Sequence, residues 1–149
     1  MTARDAAVAG AIVLAAGTGL VGLFGALRWY LSAPSRAFWI ALRASQALAF
    51  AYAALAGISY IGGDRPANSL YYLYALLPIA IGFVAEQLRV VAADQVLSAR
   101  DLDDAQQLAT LPASEQQAIV LAILRREMGV MAAAALVVCF LALRAASTY

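Results

Sequence analysis

Histidine and lysine are absent from this 149-residue chain, and cysteine occurs once, at Cys139. Without histidine there is no imidazole metal ligand, no histidine-held haem, and no side chain whose ordinary titration falls near neutrality. Ser32, Ser35, Ser45, Ser59 and Ser69 therefore have no histidine base to activate them. One cysteine cannot close an intrachain disulfide, and within an apolar run it reads as a small buried hydrophobe. No phosphate-cradling glycine loop and no metal-binding cluster occurs. Asp101-Leu102-Asp103-Asp104 lacks the glycine and the distal glutamate that a calcium loop needs. These absences predict a non-catalytic protein with no cofactor and no metal.

Charge is scarce as well. Only 13% of residues are charged and 64% are hydrophobic, against about 25% and about 45–50% in soluble domains. The net charge is +1, with all ten basic residues arginine. That balance offers no broad basic surface to nucleic acid.

What the chain does have is four apolar runs. Residues 6–27 carry no charge between Asp5 and Arg28. A membrane span needs roughly 20 apolar residues, and the apolar core of a cleaved signal has only about 7–15, so this run is expected to be a retained helix. Further spans are expected over residues 38–61, 69–89 and 121–143. Pro34 and the Gly62-Gly63-Asp64-Arg65-Pro66 stretch break the chain between spans. Ser35, and Asn68 or Ser69, are the expected caps of the second and third helices. Trp39 marks one headgroup level; Tyr60, Tyr71, Tyr72 and Tyr74 mark the other. Pro78 removes a backbone donor within the third span and predicts a kink there.

From Arg89 to Leu111 the chain turns polar, with Val96, Leu97, Leu102, Leu108 and Ala109 among the residues of an apolar stripe at helical spacing. No breaker interrupts it, so the third helix is expected to run on as far as Leu111. Pro112 turns the chain, and Ser114 to Gln117 fits a capping box for the fourth helix. The expected fold is all-α: a transmembrane four-helix bundle, a single integral membrane domain over residues 1–149. Helices three and four extend into a cytoplasmic antiparallel hairpin over about residues 90–120.

Orientation follows from the arginines. Arg28, Arg36, Arg43, Arg89, Arg100, Arg125 and Arg126 fall on one side, and Arg4, Arg65 and Arg144 on the other. The positive side is expected to face the cytoplasm, which puts the protein in the cytoplasmic membrane with both termini outside.

Two charge constellations stand out. At about 1.5 Å per residue, Arg43 lies roughly 9 Å into the second span. Glu86 lies about 6 Å from the same boundary of a core about 30 Å thick. The two are expected to meet, with Gln46 and Arg89 beside them, in a small polar pocket or a register-fixing ion pair. In the hairpin, Arg125 and Arg126 are expected to pair with Asp94 and Asp101.

The first helix also carries a ladder of small residues, Ala7, Ala11, Ala15 and Gly19 with Thr18, Gly22 and Ala26 beside it. Such ladders admit close helix approach, here to the chain's own helices or to a second copy. Two functions are consistent with this pattern. One is an accessory or scaffold subunit of a membrane complex, partnered by the bilayer and by a homo-oligomer or membrane partner. The other is a small transporter or channel using Glu86 paired with Arg43.

Overall fold

The computed structural model of the chain describes residues 2–100, 102 and 105–149. Within them are five helices and no strand: α1 Ala3–Tyr30, α2 Arg36–Ile61, α3 Leu70–Ser98, the short α4 Ala105–Leu108, and α5 Ala113–Thr148. The four long helices are each long and apolar enough to cross a membrane.

Local chemistry sets the helix ends. α1 begins with a capping box that the apolar pattern does not reveal. The Thr2 hydroxyl accepts from the Asp5 amide at 3.2 Å, and the Asp5 carboxylate accepts from the Thr2 amide at 2.9 Å. It ends with Ser32 in the left-handed region at φ 52°. There Ser32 donates to the Trp29 carbonyl and Ala33 to the Arg28 carbonyl, the paired bonds of a Schellman stop. α2 ends the same way with Gly63 at φ 87°, Gly63 donating to Tyr60 and Asp64 to Ser59. Ser35 and Ser69 hold the cap positions of α2 and α3 without side-chain bonds; Asn68 Oδ1 instead accepts from the Leu70 amide at 3.0 Å.

Two expectations about ends are corrected. α3 does not run to Leu111. It stops at Ser98, where the Ala99 and Arg100 amides bond back to Gln95 and Leu97 and the chain turns. An apolar stripe permits a helix but does not compel one. The capping box at Ser114 also does not form. Pro112, at φ −55° and ψ 147°, takes the cap position itself, and its carbonyl accepts from Glu115 and Gln116. Ser114 is thereby drawn inside the first turn. Gln116, not Gln117, reaches back, donating to the Leu111 and Ala109 carbonyls.

α5 is the hub. It packs extensively on α1 and on α3, whereas α2 makes thinner seams with α1 and α3. In its most apolar stretch 44% of residues are buried, against 22–28% in the other three. The α1 ladder supplies the reason. Ala11 and Ala15 are buried, and a methyl group on Gly19 would lie 3.1 Å from Cys139 Sγ. One on Gly22 would lie 2.7 Å from the Leu136 side chain. The small-residue face is occupied by α5.

The core falls into two clusters. One joins Leu14, Ala49, Tyr52, Tyr71, Ala75 and Ala142 with their neighbours. The other joins Val21, Phe38, Leu42, Ala85, Met128 and Met131 with theirs. Tyr71 thus departs from its expected place in an aromatic belt. It is 2% exposed, its hydroxyl 3.3 Å from that of buried Tyr52 and its ring edge-on to Tyr149 at 4.7 Å. A buried phenol needs a polar partner, and Tyr52 supplies one. Tyr60 remains exposed, and Tyr72 and Tyr74 are half-buried.

Candidate functional site

Arg43 lies on α2 and Glu86 on α3, each with a companion one helical turn further on, Gln46 and Arg89. The structure brings all four together. Glu86 Oε1 accepts from Arg43 Nη1 at 2.6 Å and from Gln46 Nε2 at 3.3 Å. Arg43 Nη1 also donates to Gln46 Oε1 at 2.8 Å, tying the two α2 residues into one unit. On the other side Arg89 Nε lies 3.1 Å from Glu86 Oε2, a charge contact without hydrogen-bond alignment. The Arg89 guanidinium stacks 5.6 Å from the centre of the Trp39 ring, a cation–π contact that holds it against α2. Both oxygens of Glu86 are therefore faced by guanidinium groups. Exposure is uneven: the Arg43 side chain is 54% exposed, whereas Glu86 and Arg89 are 28% and 29%.

Beside this cluster lies a cavity of about 310 Å³, lined by residues of all four long helices, members of both core clusters among them. Arg43, Gln46 and Glu86 line one end; Phe50 and Pro78 lie further in. Its walls are otherwise apolar in effect. The Thr18 hydroxyl donates to the Leu14 carbonyl at 2.7 Å, and that of Ser45 to the Leu42 carbonyl at 2.8 Å, so both turn to their own helices. A methyl group on Gly82, which lines the cavity, would meet nothing within 4 Å. α3 continues as helix through Pro78, which is buried against this space.

Sequence reasoning missed Glu127 of α5, a half-buried carboxylate. The signal was an acid between Arg126 and the long apolar run that begins at Met128. The expected hairpin pairs fare differently. Asp94, Arg125 and Arg126 are exposed, and among the described residues no ion pair joins them. Arg125 lies instead over the Trp29 ring, 5.5 Å from its centre, and Arg126 lines a groove between α1 and α5. Asp101 lies outside the described residues. Among the described residues no group of three metal-ligating side chains converges.

Four apolar helices of spanning length define the class, a multi-pass helical membrane protein. Comparison with known protein families, curated proteins and solved structures finds no match to the chain.

Proposed function

We propose that this protein is a non-catalytic small transporter or channel of the cytoplasmic membrane. Its solute site is the cavity that ends at Arg43, Gln46 and Glu86. The observation that carries this reading is the cavity itself: an ion pair serving only to fix helix register would need no unfilled space beside it. Ionisable residues within a span that line a cavity are functional-site candidates by default. The accessory or scaffold reading draws on the absence of catalytic motifs, a helical projection and the small-residue ladder. α5 covers that ladder and α3 ends at Ser98, which leaves this reading less support.

In this reading the four long helices form a bundle with both termini outside. The connection carrying α4, flanked by Arg89, Arg100, Arg125 and Arg126, then lies in the cytoplasm. The test is flux into proteoliposomes under imposed proton and anion gradients, compared between the wild type and Glu86→Gln. Flux above that of empty liposomes which falls about tenfold in the variant supports the proposal. Flux that is absent, or unchanged by the substitution, overturns it.

A further inference from the structure

The cavity has a direction, and that direction identifies a ligand. From Arg43 to Phe50 is seven residues of α2 and from Glu86 to Pro78 eight of α3, so the space runs about 10–12 Å along the helices from its charged end. The charged end lies toward the membrane boundary that Arg36 and Trp39 mark, and the apolar end lies toward the bilayer centre. An amphiphile in one leaflet has that same polarity, head at the boundary and tail inward.

The sign of the head follows from the pairing. Both oxygens of Glu86 are already faced by guanidinium groups, so a cation entering would have to displace Arg43 or Arg89. Arg43 itself is the more exposed of the two. Among the described residues its Nε and Nη2 make no further hydrogen bond. A guanidinium with free donors at the end of an apolar cleft suits a carboxylate. The route in is lateral: Phe50 and Phe83 line the cavity and are 61% and 67% exposed on the outer faces of α2 and α3. These two helices share one of the thinnest seams of the fold. At about 310 Å³ the space is at the lower end of the roughly 300–1,000 Å³ typical of small-molecule sites, which takes the head and proximal part of one chain, the rest lying among the lipid tails.

We propose that the cavity binds a single-chain anionic amphiphile, a long-chain carboxylate. It enters from the lipid between Phe50 and Phe83, its head on Arg43 and its tail along Gly82. This rests on the solute-site reading above and adds the ligand class. The test uses the full chain in nanodiscs of neutral phosphatidylcholine, with tritiated oleate as probe and oleyl alcohol and oleylamine as competitors.

Saturable oleate binding is expected, with the alcohol competing about tenfold more weakly because it brings no charge to Arg43. Gly82→Leu adds bulk where there is open space and should lower oleate affinity at least about tenfold. Its thermal unfolding should stay close to wild type. Arg43→Gln should cost about tenfold for oleate and nothing for the alcohol. Tighter binding of oleylamine overturns the anionic assignment while leaving a solute site in place. A stoichiometric anionic phospholipid retained from the native membrane and lost with Gly82→Leu keeps the anionic head and overturns the single-chain carboxylate. If no amphiphile of either charge responds to Gly82→Leu, the ligand and the cavity's role fall together; loss of oleate binding in Gly82→Leu without any effect of Arg43→Gln removes the carboxylate contact alone.

Discussion

Arg43 Nη1 and Glu86 Oε1 stand 2.6 Å apart across 43 residues of sequence, but the two ends of this pair are not equivalent. Arg43 has one acidic partner. Glu86 has two basic ones, because Arg89 approaches its other oxygen. Glu86→Gln therefore strands two guanidinium groups, and is expected to lower stability in detergent by about 2 kcal/mol. Arg43→Gln leaves Glu86 with Arg89, and removes a half-exposed charge, so it should cost less than about 1 kcal/mol. Thermal unfolding of the two purified variants checks the order; equal losses would mean that Arg89 does not hold Glu86.

The helical glycines divide by what they face. Gly22→Ala puts a methyl group 2.7 Å from the Leu136 side chain and 3.1 Å from its backbone nitrogen, which cannot swing aside. The α1–α5 seam must then open, at about 1–3 kcal/mol. Gly57→Ala meets nothing within 4 Å and should stabilise α2 by about 0.5–1 kcal/mol through helix propensity alone. Opposite shifts of melting temperature in the same detergent are the expected result.

Tyr52 and Tyr71 share a hydroxyl–hydroxyl contact away from water, at 4% and 2% exposure. Tyr71→Phe leaves the Tyr52 hydroxyl without this partner and should cost about 1–2 kcal/mol. The double variant with Tyr52→Phe removes both polar ends and should cost less than the sum of the singles. A double-mutant cycle by thermal unfolding measures the coupling; additivity would show that the contact contributes nothing.

Topology is open to direct labelling. In a Cys139→Ala background, Ser114→Cys at the start of α5 and Ser147→Cys near its end lie on exposed positions at opposite ends of the helix. With the arginine-rich side in the cytoplasm, a membrane-impermeant maleimide applied to intact cells should modify the Ser147→Cys variant alone. Modification at Ser114→Cys instead would invert the orientation.

The four spanning helices were readable because lipid imposes a one-dimensional rule: a stretch of sufficient length and apolarity satisfies its own backbone as a helix. The 22 residues 6–27 and the longer α1 differ only by a turn or less at each end. Depth arithmetic along two such helices also put Arg43 beside Glu86, since rise per residue and core thickness are nearly constant. Helix ends outside the membrane were less legible. Ser98 and Pro112 end and begin helices through local turn geometry, which a hydrophobic stripe does not encode.

Composition and order alone determined that this is a helical protein of four apolar segments without histidine chemistry, because those properties reside in individual residues and their spacing. Only tertiary structure decided that α5 is the centre, that Tyr71 is core, and that a cavity is left beside the Arg43–Glu86 pair. Those are outcomes of which faces meet. On helices whose outward sides are as apolar as their inward ones, the facing is set by the fit of Gly22 against Leu136 and of Tyr52 against Tyr71, not by periodicity.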